Sequence, residues 1–510
     1  MATVPQHGRW WDVESLLWIG VAALSTPISS PIVRWIVLGM LLSVAANNDN
    51  DNDDNDNDND NDNDDNDNDN NDDNDDNDNN NNNDNIWRQP TRYYNNYGDL
   101  QGFTMSVIVL PILLEKLGRT SFARIAALSP TRTEGIVALL VLSTVDPKYP
   151  SVFCRMSLSW IVVFHSLRWF PSMQGVWTRG EWHIVSGLLA VACAEWVSWN
   201  SNNGGVSEDT LHGYVALTGV LGCLLGCVVS TTIPNLPLKL VCLVGVPLGL
   251  IERSLTGIQG FQQRPQPSCL YWIWDFLMDH EAESGVQRFY FLLYWVKVLV
   301  VSSLVALVAS QRTTAATVTA VVVTRKWFHL IAILLFAPVT VFAPQLMVLS
   351  YAIALCVLVV LESIRNEVVP IQTFFQNYLD LDNKDQSGTK VVISHMALIV
   401  GCALPLWIAR VRNQQDSDGN NFVALWGIVI LGVGDSMGAI VGTRYGKTKW
   451  GRNRSIEGSL AVWISTALCC NLLTNHAHLL VVSVVTCLEA FTSQIDNLTL
   501  PLAGVLLLLK

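Results

Sequence analysis

Asp435 stands in an apolar, glycine-rich stretch, LWGIVILGVGDSMGAIVGTRY, at positions 425–445. A carboxylate in such surroundings is costly unless a cation, a metal or an aqueous cavity meets it. It is therefore a candidate for chemistry, the other reading being an Asp paired with Arg or Lys only to fix helix packing. Gly432, Gly434, Gly438 and Gly442 allow close approach of a neighbouring helix or a ligand, and small residues spaced four apart are also ordinary packing between membrane helices. Immediately downstream, Arg444, Lys447, Lys449, Arg452 and Arg454 put five positive charges into 11 residues with no acid among them. Gly442, Gly446 and Gly451 keep that stretch pliable, so it can cradle a polyphosphate, although a cytoplasmic loop obeying the positive-inside rule has the same composition. Because the stretch runs from Asp435 to Glu457, metal-binding and phosphate-binding groups converge in one helix-loop-helix unit. No GxxxxGK[ST] occurs, so this is not a P-loop.

The elements that must position these groups are apolar helices. The chain has 510 residues, 50% hydrophobic and 15% charged, with 19 Trp and a mean hydropathy of +0.30. That balance argues against a soluble globule. The net charge of −13 misleads, because positions 47–85 are only Asn and Asp, and without their 18 Asp the remainder carries +5. No acidic docking surface and no nucleic-acid binding follows from it. The expected class is all-α, a polytopic membrane protein with roughly 12 to 15 transmembrane helices, since spanning takes about 20 apolar residues and helices satisfy their own backbone at lipid depth. The expected organisation is a membrane segment or pair at 1–46, a disordered Asn/Asp loop at 47–85, a multi-helix region at 86–310 and a catalytic membrane region at 311–510. The first run is expected to stay as a helix rather than be cleaved. Most of the 11 Cys lie in apolar runs and no CxxC occurs, which favours packing over disulfides or zinc. His476 and His478, two apart, do not share a helix face and read as a loop.

The stretch 425–459, together with TRKWFHL (324–330) and EAFTSQIDNLTLPL (489–502), resembles the dolichol kinase family of endoplasmic reticulum membrane enzymes. The likeness runs from Thr324 to Pro501, while the first 320 residues resemble the family only as a train of apolar helices. It implies transfer of a phosphoryl group from CTP to the terminal hydroxyl of dolichol, giving dolichyl monophosphate for N-glycosylation, with a divalent cation such as Mg2+ as helper. Dolichol, CTP and membrane lipid are the implied partners, and no protein partner is inferable. Arg325 and Lys326 match the family's basic pair before a membrane helix, with His329 one turn on. Glu362 and Arg365 match an acid and a base ending a following helix. Asp435 matches the glycine-rich motif, and Asp496 and Asn497 match its QIDN signature. Lys447 to Gly458 matches the loop thought to hold CTP. Where the family often has two adjacent basic residues before the hydroxyl residue and EG, this chain has Asn453-Arg454-Ser455, so Lys449 or Arg452 is expected to supply the missing charge.

Phosphoryl transfer rests mostly on positioning and charge neutralisation. The nucleotide-binding set is accordingly Gly434, Gly442, Arg444, Lys447, Lys449, Arg452, Arg454, Ser455 and Gly458. Asp435 and Asp496 are the expected metal ligands, and with Glu457, Arg325 and Lys326 they form the catalytic set, one of the carboxylates accepting the alcohol's proton. Asp496 could instead cap a helix beginning near Leu498. His329 reads as a supporting or packing residue rather than a base. The competing functions are another CTP-using lipid enzyme (a phosphatidate cytidylyltransferase, a diacylglycerol or phytol kinase) or a multi-pass transporter. The sequons at Asn453 and Asn497 are expected to be unused, because the catalytic loop should face the cytosol.

Overall fold

The computed structural model describes residues 13–26, 30, 32, 36, 97–116, 179–201, 208–256, 268–279, 286–312, 318–375, 393–411, 420–450, 454–492 and 494–509. The Asn/Asp tract and the apolar runs at 134–145 and 152–170 lie outside them. In chain order the helices are α1 (Val13–Ser25), α2 (Tyr97–Lys116), α3 (Arg179–Ser201), α4 (Glu208–Ser230), α5 (Leu236–Thr256), α6 (Cys269–Met278), α7 (Arg288–Arg312), α8 (Val318–Phe342), α9 (Pro344–Ile364), α10 (Val369–Phe374), α11 (Ser394–Val411) and α12 (Asn420–Gly427). A π-helical segment (Ile428–Gly434) joins α12 to α13 (Asp435–Tyr445). Two short strands follow, β1 (Lys449–Trp450) and β2 (Arg454–Ser455), then α14 (Ile456–Thr474), α15 (Leu479–Phe491) and α16 (Asp496–Leu508).

The protein is an all-α polytopic membrane protein. Five helical stretches are long and apolar enough to cross a membrane: Leu211–Ser230, Arg288–Val305, Pro344–Glu367, Phe422–Tyr445 and Ile456–Thr474. Seven shorter apolar helices accompany them among the described residues. On α14, Ile456, Leu460, Ile464, Leu468 and Leu472 are exposed at four-residue spacing, an apolar stripe of the kind that faces lipid.

The core lies around α16, whose residues from Leu498 to Leu506 are all buried, as befits a helix that is apolar all round. It packs on α1, α2, α11, α12 and α15. Its contact with α12 depends on Gly504, where a Cβ would stand 1.9 Å from the indole nitrogen of Trp426. The turn from α14 to α15 is tight because Asn475 (φ 56°) and His478 (φ 44°) take the left-handed region, with the Asn475 N–H donating to the carbonyl of Asn471. His476 and His478 thus lie in a loop, as their spacing suggests.

Three local features depart from the sequence-based expectations. Arg325 and Lys326 sit inside α8 rather than ahead of it, since the helix already begins at Val318. The apolar run over 422–443 is not one regular α-helix. The basic stretch 444–454 is not wholly pliable, because Lys449 pairs with Ser455 and Trp450 with Arg454 in an antiparallel hairpin.

Candidate active site

Asp435 owes its place to the π segment. Glycine and β-branched residues from Gly427 to Gly434 are weak α-formers, and there the helix widens by one residue per turn. The N–H of Asp435 donates to the carbonyl of Ile430, five residues back. From Asp435 onward the α-helix resumes with its glycine row pressed on α14. A Cβ at Gly434 would lie 2.6 Å from the Thr466 hydroxyl, one at Gly438 would lie 2.4 Å from Val462, and one at Gly442 would lie 3.3 Å from the Ser455 hydroxyl. Small residues here let two backbones approach.

Asp435 is 5% exposed, and the His329 Nδ1 of α8 lies 3.3 Å from its Oδ2. The glycine beside this pair matters too, since a Cβ at Gly432 would strike Ile333, one turn beyond His329. Arg454, at the end of the hairpin, reaches two further carboxylates. Its Nε lies 3.0 Å from Glu489 Oε1, and its Nη2 donates to Asp496 Oδ2 at 3.2 Å. Burial alone would lower the Arg454 pKa, but Glu489, Asp496 and Asp435 outweigh it, and the guanidinium is held above its usual value. Two carboxylates from two helices therefore pair with one guanidinium, and the charge of Asp435 on a third element also acts on it.

The hairpin has its own supports. Ser455 caps α14, its hydroxyl accepting the Gly458 N–H at 3.2 Å. Glu457 takes the Thr448 N–H on both carboxylate oxygens, at 3.2 and 3.4 Å, which places it at the base of the hairpin. The Trp450 indole donates to Ser459 and meets the edge of Phe491. Arg444, Lys447 and Lys449 are exposed beside it.

Of the residues singled out from sequence, the structure brings Asp496 and Arg454 into contact, and the charge of Asp435 helps hold the Arg454 pKa above its usual value. The structure turns Ser455, Gly434, Gly442 and Gly458 toward helix packing and capping, and Glu457 toward Thr448. Arg325 lies on α8 one turn before His329, while the side chains of Arg325 and Lys326 lie outside the described residues, as does Arg452. Asp496 is the first residue of α16, two positions earlier than expected. The residue preceding it, Ile495, is the N-cap, and Asp496 Oδ1 accepts the N–H of Asn497 at 2.8 Å. The side chain of Asn497 donates to the Ser394 carbonyl. Glu489 is the residue that sequence reasoning did not single out. It is 4% exposed at the end of an apolar helix, and a buried acid at such a place was the available signal.

Comparison with known proteins gives this cluster its context. The chain is 31% identical to a mouse dolichol kinase over 259 residues, covering 47% of this chain and 48% of the mouse protein. It is 28% identical to the dolichol kinase EVAN of Arabidopsis thaliana over 261 residues, 48% of this chain and 43% of that protein. With the fission yeast dolichol kinase sec59 it shares 34% identity over 192 residues, 35% of this chain and 37% of its relative. Over the matched region the chain is similar to dolichol kinases of animals, a plant and a yeast. The chain spans about half the length of the dolichol kinases it matches. No family model and no solved structure matches it.

Proposed function

We propose that the protein is a CTP-dependent dolichol kinase of the endoplasmic reticulum membrane, with residues 311–510 as its catalytic region. The observation that carries this reading is the pairing of Arg454 with Glu489 and Asp496, with the buried Asp435–His329 pair near enough for the Asp435 charge to act on the same guanidinium, within a membrane helix bundle and beside a hairpin bearing exposed cations. Arg444, Lys447, Lys449 and Arg452 would meet the triphosphate, since phosphoryl transfer needs its charge neutralised from outside. Arg325 and Lys326 lie one turn before the residue that touches Asp435 and are the proposed second source of positive charge.

A divalent cation suits oxygen donors. Among the described residues no three His, Cys, Asp or Glu side chains form a ready-made metal cage. Mg2+ is usually held by one or two carboxylates with phosphate oxygens completing its shell, and Asp435 and Asp496 are the proposed carboxylates. When bound, the ion would neutralise charge on the phosphates. In the transfer itself the dolichol oxygen bonds to the γ-phosphorus and the bond to the β–γ bridging oxygen breaks. CDP leaves, and the hydroxyl proton passes to a carboxylate. Asp435 is the proposed acceptor, because His329 lies 3.3 Å from its Oδ2 and can fix its orientation. Dolichol's hydroxyl would sit at the headgroup level with its tail in hydrocarbon, so both substrates could reach one interfacial site from the cytosolic side.

The test is an assay of the purified protein with labelled CTP and dolichol. Dolichyl monophosphate and CDP are expected. Release of pyrophosphate would indicate a cytidylyltransferase instead, and a lack of any lipid phosphorylation would refute the kinase reading.

A further inference from the structure

The N-terminal half of the chain reaches the connection that carries Asp496. Glu181, in the first turn of α3, is fully buried, and its Oε1 accepts the backbone N–H of Ile495 at 2.6 Å. Glu14, on α1, is 1% exposed, and its Oε1 accepts the Thr492 hydroxyl at 2.8 Å. The Thr492 hydroxyl also accepts the N–H of Gln494. These ties join residues 314 and 478 positions apart in sequence.

The identity of the bonded atoms gives the contacts their meaning. Ile495 is the N-cap of α16, and an N-cap N–H is commonly satisfied by a Glu or Gln three residues further on, in a capping box. In α16 that position is Leu498, which has no acceptor. Glu181 supplies the missing carboxylate from another helix. Asp496, the next residue, is left with Oδ1 on Asn497 and Oδ2 on Arg454. The connection held at Thr492 and Ile495 also joins Glu489 on α15 to Asp496 on α16, so its shape sets the separation of the two carboxylates that Arg454 bridges. A charge-assisted bond to a backbone N–H in a buried site is stronger than a neutral one and holds its geometry accordingly.

We infer that Glu181, seconded by Glu14, is a positioning residue that caps α16 from outside and thereby fixes Asp496 against Arg454. This rests on the phosphoryl-transfer reading of the site, yet the contact itself can be measured without turnover. The experiment uses the full chain and compares Glu181→Ala with Glu181→Gln, whose amide oxygen can still accept the Ile495 N–H. In Glu181→Ala, amide exchange in a peptide covering 489–498 should rise about tenfold or more while other helices keep their protection. With CTP and dolichol, kcat should fall by about tenfold or more while KM for dolichol changes less than about threefold, as a misplaced catalytic group requires. Glu181→Gln should restore both to within about threefold of wild type. Unchanged exchange in Glu181→Ala would overturn the inference, as would faster exchange with normal kcat, or a Gln variant as impaired as the Ala variant. Should the Ala variant not accumulate, Thr492→Val, which removes the hydroxyl bound to Glu14, should raise exchange in the same peptide and lower kcat, and normal values of either would count against the role. If wild-type protein phosphorylates no dolichol, the functional reading fails, while the exchange data still decide whether Glu181 holds the connection.

Discussion

Asp435 concentrates the residue-scale argument. It is buried, it lies beside His329, and it belongs to the charge cluster that keeps Arg454 cationic. Asp435→Asn keeps the volume and removes the charge, so correctly inserted protein is expected to lose kinase activity by about 100-fold or more. Near-normal turnover would remove Asp435 from the proposed chemistry. Asp435 was legible in the sequence because an acid within an apolar helix is rarely idle. Its partners were harder to read. His329 follows Trp327 and Phe328 and looks like an interfacial anchor, whereas the fold sets its ring against Asp435. Glu489 ends an apolar helix and stands within a motif whose other acid, Asp496, is more conspicuous. Only the position of Arg454 shows that the two acids work on one guanidinium.

At the scale of elements, the site is built from one helical unit that changes pitch and then packs unusually closely. The π segment ends where Asp435 begins, and α13 then lies on α14 through Gly434, Gly438 and Gly442. Gly438 is the tightest of the three, with Val462 2.4 Å from where a Cβ would stand. Gly438→Leu must push α14 away and carry the hairpin with it. A loss of about 1–3 kcal/mol of stability is expected from such overpacking, together with a raised KM for CTP. A thermal melt in detergent and a CTP titration would check both, and unchanged values would show that the crossing tolerates a side chain. The row of glycines was visible in the sequence, where its four-residue spacing suited ordinary helix packing and left close approach of a ligand open. The structure places α14 there. The hairpin was not visible, since the cations and glycines of 444–454 suit a loop equally well, and its strands are fixed by the Ser455 cap and by Glu457 binding Thr448.

At the scale of the whole molecule, helices far apart in sequence converge on α16. The Asn/Asp tract at 47–85 has no apolar surface to bury. Its deletion is expected to leave dolichol phosphorylation nearly intact, and loss of activity in correctly inserted deletion protein would contradict this. Five basic residues from Arg444 to Arg454 should hold the hairpin in the cytosol. A glycosidase-sensitive mass shift that disappears on Asn453→Gln would place it in the lumen and overturn that orientation. By itself the sequence determined the all-α membrane class, the Asp435 motif, the basic stretch and the kinship carried by three short motifs. Each of these depends on local composition or on an order of residues that the chain itself displays. The tertiary structure alone decided that Glu489 and Asp496 share Arg454 and that Glu14 and Glu181 hold the connection before Asp496. Those contacts join residues up to 478 positions apart. Such pairings leave no periodicity or spacing to read, because a buried carboxylate is satisfied by whichever donor the packed helices bring to it.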